Sequence, residues 1–383
     1  MTAAQTNPSR LTLGSGCRYT IGKALDDYAA DRVLVVASPR AIAAADLPRL
    51  LDGRTVCWFD GFAPNPTLEH ALAGRAAFDR HQPQAVLAVG GGSAIDTAKL
   101  IRGLPATAGD ARRVLSGDLP PQPETPPPLL ALPTTAGSGS EVTSFATVYV
   151  DGVKASLDRP SVRPEHALVD PDLLRGCPTP LSYACAFDAL CHAVESYWSV
   201  RSTPESRTLA LRALDLLADV FGPGLPAADD TTRSALARAA TTAGMAIDIT
   251  RTTAAHAFAY HLTAQYGVPH GVACLLNLIW VFDYNLDNVE SHCIDPRGSE
   301  FVRERLRTVA AALDRLPRAR ATTAETLREL LASGGYATHL NGFGVNLDGV
   351  SSIVASGLAS GRSTNNPVSL HPVSVGRHVA ALV

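Results

Sequence analysis

The sequence predicts two domains of different class: a doubly wound α/β domain over residues 1–175 and an all-helical domain over 176–383. Three observations predict this. Short apolar runs alternate with helical stretches through the first 170 residues, the signature of a parallel sheet covered on both faces. After VDPDLL (169–174) apolar residues recur three and four apart to near the C-terminus, which is the period of helices. Two Gly/Ser-rich segments each follow a predicted strand, at the strand ends where open α/β sheets bind ligands.

Taken in order, RVLVVAS (32–38) is a short apolar strand and AIAAADLPRLL (41–51) a helical stretch. TVCWFDGF (55–62) is a second strand, closed by PNPT, and LEHALAGRAAFDRH (68–81) is helical. AVLAVGGG (85–92) is a third strand running into glycines, and SAIDTAKLIRGL (93–104) continues as a helix. A proline-rich loop (120–128) leads into LLALPTT (129–135), another strand. The domain boundary is expected at RGCPTP (175–180). Beyond it, helices are expected over 204–221, 229–249, 301–316 and 322–333, the second opening on an Asp/Thr cap.

Composition narrows the function classes. The chain has 383 residues, 46% hydrophobic and 18% charged, with a net charge of −3. That is a globular composition, and it offers no positive field for nucleic acid. No apolar run reaches the length of a membrane span, and MTAAQTNPSRLTLGSG lacks the order of a signal peptide. A cytoplasmic location without membrane or nucleic-acid partners is the expectation. Seven cysteines without a CxxC pair argue against a disulfide framework.

VGGGSAIDTAK (89–99) joins a strand to a helix. Glycines let backbone approach a pyrophosphate, and a helix N-terminus offers N–H groups and a positive dipole end. The pattern is not GxGxxG, so a tight structural turn competes with this reading. LPTTAGSGSEVTSFATV (132–148) adds hydroxyls and little bulk at another strand end. Two such loops are what a dinucleotide crevice needs.

FDALCHAVESYWS (187–199) puts Asp188 and His192 at i and i+4, on one helix face and able to share a divalent ion. HAFAYHLTAQYGVPHG (256–271) carries His256, His261 and His270. On one straight helix His256 and His270 would lie about 21 Å apart. Pro269 disfavours helix at Val268 and suits a new helix start. The chain is therefore expected to turn at GVP, with His270 heading a second helix. Asp188, His192, His256 and His270 then form a one-carboxylate, three-imidazole set, suited to Fe2+ or Zn2+ over Mg2+ or Ca2+.

GGGSAIDTAK, PTTAGSGSEVTSFA, DALCHAVESY, HAFAY…GVPHG and the PNPT turn resemble the iron-containing (group III) alcohol dehydrogenase family. The resemblance implies a dehydroquinate synthase-like fold: a Rossmann-like dinucleotide-binding domain and an all-α metal-binding domain, with the active site in the cleft between them. It implies that Asp188, His192, His256 and His270 hold the metal. Fe2+ is expected first, with Zn2+ and Mn2+ as alternatives. It also implies that Asn65, Gly91, Gly92, Ser93, Asp96, Thr134, Thr135, Ser138 and Ser144 lie near the cofactor, and Lys154 near its nicotinamide side. The metal would act as a Lewis acid and the nicotinamide would carry the hydride. A homodimer is the expected assembly.

Two departures stand out. Many relatives place a histidine four residues after the third ligand. Here Tyr260 takes that position and His261 falls one later, about 100° further round a helix. Tyr260 is read as proton donor or as a packed aromatic, and His261 as a substrate-side or surface histidine. The second departure is Arg251 with Thr252 and Thr253, just before His256. A guanidinium matches phosphonate or carboxylate geometry; the competing reading is a helix-end salt bridge to Asp248. ITRTTAAHA…Y resembles the phosphonoacetaldehyde reductases, which form 2-hydroxyethylphosphonate. Arg362 and Asn366 in GRSTNNP (361–367) are candidates for the same pocket. Ser38 stands where an acid would repel a 2′-phosphate, and Arg40 is nearby. NADPH is therefore favoured, with NADH accepted. The expected reaction is reduction of a small aldehyde carrying a phosphonate. The alternatives are another small aldehyde of lactaldehyde or semialdehyde type, a dehydroquinate synthase-like lyase, and a non-catalytic binding protein.

Overall fold

A computed structural model describes residues 9–120, 126–222, 225, 229–316 and 319–383. Residues 121–125 of the proline-rich loop and the first eight residues of the expected non-signal N-terminus lie outside the described residues. The chain divides into two compact units, Met1–Cys177 and Pro178–Val383.

The first unit holds a six-stranded parallel sheet. Its strands are β1 (Arg10–Leu13), β2 (Arg32–Ala37), β3 (Thr55–Phe59), β4 (Ala85–Gly90), β5 (Leu129–Pro133) and β8 (His166–Val169), in the order β1-β8-β5-β4-β2-β3. Its helices are α1 (Ile21–Asp26), α2 (Pro39–Ala44), α3 (Leu47–Leu50), α4 (Leu68–His81), α5 (Gly92–Gly103) and α6 (Ala108–Ser116). Alternation along β2 sends Val33, Val35 and Ala37 to one face, with α1, α2 and α3, and Leu34 and Val36 to the other, with α4 and α5. The chain goes from β2 outward to β3 and returns to β4 on the other side. The order reverses between β2 and β4, the switch point at which such sheets bind ligands.

The expected strands over 32–38, 55–62, 85–92 and 129–135 all form, each shorter at its C-terminal end. Four strands are not among the expected elements. β1 and β8 are four residues each, too short to show a period. β6 (Phe145–Val150) and β7 (Val153–Asp158) form a separate antiparallel hairpin. Its two-residue turn is Asp151-Gly152, with φ of 52° and 78°, and the Asp-Gly pair was the available signal. The hairpin packs on α4 and α6 through Ala146, Val148 and Leu157.

The second unit is helical among the described residues: α7 (Thr179–Trp198), α8 (Pro204–Phe221), α9 (Asp230–Thr250), α10 (Ala254–Tyr266), α11 (His270–His292), α12 (Ser299–Leu313), α13 (Thr323–Ser333), α14 (Val350–Ala359) and α15 (Pro372–Ala380). α7 is buried along its last sixteen residues save one, from Tyr183 to Trp198. The break expected at GVP is present. Gly267 caps α10 in the left-handed region at φ 65°, and Pro269 is the N-cap of α11. Gly271 is the contact that brings α11 against α7. A Cβ there would lie 1.8 Å from the carbonyl oxygen of Ala184 and 2.8 Å from the backbone nitrogen of Asp188. No helix among the described residues is long and apolar enough to cross a membrane.

Gly271→Ala forces these helices apart and should cost roughly 1–3 kcal/mol, read from the urea midpoint; an unchanged midpoint would refute the close approach. His166 is buried and shares a hydrogen bond of 2.9 Å with Thr12. Burial, with Arg10 adding to it, pushes its pKa down from the ordinary 6.5. The unfolded chain then takes up a proton that the fold refuses, so stability should fall as pH drops below about 6.5. His166→Asn should flatten that limb of the pH–stability curve.

Candidate functional site

α7 is buried almost all round and nevertheless carries charge. Asp188, His192 and Glu195 stand at i, i+4 and i+7, one face of the helix, and all are buried. The turn before α10 and the start of α11 deliver His256 and His270 to the same place. Asp188 Oδ1 is then ringed by three imidazole nitrogens: His256 Nε2 at 3.2 Å, His192 Nε2 at 3.5 Å and His270 Nε2 at 3.9 Å. The rings of His192 and His256 stack at 4.6 Å, and His270 meets His256 edge-on at 5.5 Å.

These residues fit a divalent cation. Bonds of about 2.0–2.3 Å around a tetrahedral ion separate neighbouring donors by about 3.3–3.8 Å, close to the distances seen. Imidazole and carboxylate lone pairs this close repel unless positive charge lies between them. Burial by itself would raise the Asp188 carboxyl. The three histidines outweigh it and hold the group well below the usual carboxylate range.

Two neighbours were missing from the sequence reading. Cys274, one turn beyond His270, is buried, and its Sγ lies 3.7 Å and 4.0 Å from the two ring nitrogens of His270. Its Sγ and donor atoms of Asp188, His256 and His270 all lie within 4.8 Å of one another. Near-equal distances to both nitrogens put the sulfur against the ring. The second neighbour is Glu195, fully buried, whose Oε2 meets His256 Nδ1. An ionised carboxylate only accepts, so Nδ1 donates and Nε2 keeps its lone pair for the Asp188 side. Burial would raise Glu195; His256 and the Thr253 hydroxyl outweigh it and keep the pKa low. The i+7 spacing after Asp188 was its only sequence signal.

Tyr260 stacks on His270 with ring centroids 6.0 Å apart and planes 16° from parallel. His261 turns away, its ring 6.1 Å from Tyr266, and burial lowers its pKa. The one-residue offset therefore separates the two as helix geometry requires.

Arg251 ends α9 with φ 62°, a conformation rare for a residue with a Cβ. Its Nη1 meets the carbonyl of Asp248 and lies 3.5 Å from that residue's carboxylate. Thr252 follows, buried, its carbonyl accepting from Asn365 at 3.0 Å. Two residues expected to contact substrate have side-chain partners inside the protein. Thr253 is fully buried, its hydroxyl donating to Glu195 at 2.7 Å and accepting from Trp198 at 3.1 Å. Asn366 is fully buried and exchanges hydrogen bonds with Asn285 while donating to Val368. Both side chains are hydrogen-bonded to neighbouring elements of the same unit. Arg362 lies at the start of the same 363–366 turn, its backbone N–H on Ser360.

In the first unit the two Gly/Ser loops leave neighbouring strands, β4 and β5. They pack face to face: a Cβ on Gly91 would lie 3.0 Å from Thr135 Oγ1, and one on Gly92 2.8 Å from Ser138 Oγ. No side chain caps the N-terminus of α5, which begins at Gly92–Ser93, as a phosphate-binding turn requires. Thr134 N–H bonds Gly90 at 2.9 Å. Asp96 is turned inward: its carboxylate receives the Ser140 hydroxyl and, at 2.9 Å, the Thr147 N–H. These bonds shape the loop and anchor the hairpin. Ser144 is buried at the hairpin's start, and Lys154 lies on β7 opposite Tyr149. Asn65 sits in the PNPT turn at φ 59°. Ser38 caps α2, accepting from Ala41 at 3.3 Å, and Arg40 donates to the Gly176 carbonyl. Both already have partners inside the unit.

Residues 8–171 match the iron-containing alcohol dehydrogenase model, and residues 182–377 match that of the C-terminal part of the Fe-containing alcohol dehydrogenase family. Phosphonoacetaldehyde reductase of Streptomyces viridochromogenes is 37% identical over 309 residues, 75% of each chain. A solved 1,3-propanediol oxidoreductase is 26% identical, with a TM-score of 0.83 over 98% of each chain. Sulfoacetaldehyde reductase from Bifidobacterium kashiwanohense, solved in complex with NAD+, shares the fold with a TM-score of 0.84 at 24% identity, over 100% of this chain and 99% of that one. With both units matched over nearly their whole length, the chain belongs to the iron-containing alcohol dehydrogenase family.

Proposed function

We propose that this member of the family reduces an anionic aldehyde, phosphonoacetaldehyde, to 2-hydroxyethylphosphonate with NADPH, and more slowly with NADH. The observation that carries the reaction class is the ring of three imidazole nitrogens about one Asp188 oxygen. The substrate rests on the 37% identity to a phosphonoacetaldehyde reductase.

Asp188, His192, His256 and His270 would hold the ion. That ion would supply Lewis acidity toward the substrate oxygen, and the reduced nicotinamide would supply the hydride. The chain's own residues do the rest. The Gly91–Ser93 turn and the hydroxyls of Thr134, Thr135 and Ser138 bind the dinucleotide, with Lys154 toward its nicotinamide side. Tyr260, parallel to His270, donates the proton that makes the alcohol. Arg251 and Thr252 receive the phosphonate, with Arg362 as a further positive charge. The strained backbone at Arg251 supports a functional placement. One observation favours a neutral substrate instead: Arg251 Nη1 already faces Asp248 and the end of α9.

The tests follow from this division of roles. Phosphonoacetaldehyde should outrun propionaldehyde in kcat/KM, and Arg251→Ala should remove the preference by raising KM for the anionic substrate alone. Equal rates on both aldehydes, indifferent to Arg251→Ala, would favour the neutral reading. Asp188→Asn should abolish bound metal by elemental analysis, and His256→Ala should leave it substoichiometric, with a weakened but measurable affinity; retention of stoichiometric metal in either would sink the ligand assignment. Tyr260→Phe should lower kcat by about 100-fold or more with metal content intact. A kcat near wild type would return Tyr260 to the packed aromatics. The kcat/KM ratio of NADPH to NADH should exceed one, since Ser38 brings no charge to repel a 2′-phosphate.

A further inference from the structure

Glu195 makes four contacts, all to one short segment. Oε1 receives the backbone N–H of Thr253 at 3.1 Å, the Thr253 hydroxyl at 2.7 Å and the backbone N–H of His256 at 3.3 Å. Oε2 takes Nδ1–H of the His256 ring. The two backbone contacts, to the N–H groups of Thr253 and His256, do the work of a helix cap. Thr253 is the N-cap residue of α10, yet its side chain makes no capping bond. A carboxylate from a different helix takes the His256 N–H that a capping side chain ordinarily binds.

Joining the two functions in one carboxylate has a consequence. The backbone of His256 and its ring are both fixed relative to α7, the helix that also carries Asp188 and His192. Asp188 and Glu195 are seven residues apart, two turns of that helix. The spacing between the carboxylate at the focus and the carboxylate behind His256 is therefore set by helix geometry. The same pin holds the Arg251–Thr253 turn. Its charge matters as well: two buried carboxylates, Asp188 and Glu195, together balance a divalent ion in a medium where net charge is costly.

We propose that Glu195 is a positioning residue for the metal centre. It locks the His256 imidazole in the tautomer and orientation that aim Nε2 at the ion, and it holds the following helix start in register. This rests on the metal-centre reading above. A partner of this kind changes metal affinity by about 10–100-fold when removed.

The test compares wild type and Glu195→Gln for Zn2+ binding by chelator competition, and for the visible spectrum of the Co2+-loaded protein. The expected result is Zn2+ affinity weaker by about 10–100-fold and a shifted Co2+ spectrum. The same pair is then measured in a His256→Ala background. If Glu195 acts through the His256 ring, Gln should add no more than about twofold there. Equal losses in both backgrounds would reduce Glu195 to a cap and overturn the proposal, as would wild-type affinity and spectrum in Glu195→Gln. Should Glu195→Gln fail to fold, Thr253→Val removes one donor that holds the carboxylate. It should weaken Zn2+ binding in the same direction by a smaller factor, and unchanged binding would again overturn the proposal. Tight Zn2+ binding unaffected by these changes leaves the metal centre standing without Glu195. Absence of binding in wild type overturns both.

Discussion

The helical unit is organised around negative charge that must be neutralised in its interior. Asp188 and Glu195 lie on one face of α7, both buried. An isolated carboxylate in such a place is untenable. The fold resolves this with imidazoles: three converge on Asp188, and one of them, His256, also donates to Glu195. A divalent ion among those nitrogens completes the balance, which is why the cluster reads as a binding site and not as a salt bridge.

The convergence depends on how closely the helices approach. α10 stops at a left-handed glycine, Pro269 starts α11 one residue before His270, and Gly271 lets α11 lie directly on the backbone of α7. Ligands on rigid helices are placed more accurately than ligands on loops. The price is sensitivity, since a single added methyl at Gly271 meets a backbone oxygen.

The sheet unit follows a related logic with polar groups in place of charge. Lys99 is fully buried and donates to Ser140, Thr143 and Phe145, while Asp96 receives Ser140 and Thr147. These bonds fix the hydroxyl-rich loop after β5 and tie it to the hairpin. Asp96, expected near the cofactor, is thus also a support of the loop beside it.

Much of this was legible in the chain itself. Strand–helix alternation, then sustained helical period, gave the class of each part, because burial patterns are local. The i,i+4 pair at Asp188 and His192 and the Gly-Val-Pro break before His270 pointed to the cluster that forms around Asp188, since helix geometry and proline sterics act over a few residues. The hairpin was legible from Asp151-Gly152 and went unread. Other matters were not local. Whether Arg251 faces a ligand or the end of its own helix, whether Thr253 and Asn366 are open or closed off, and what stands behind His256 depend on groups distant in sequence. Trp198, Asn285 and Glu195 reach those positions only when helices pack. The sequence determined that Asp188, His192, His256 and His270 could meet; tertiary packing decided which polar groups around them are already engaged, because a hydrogen-bond partner supplied by another helix leaves no periodic trace in the chain.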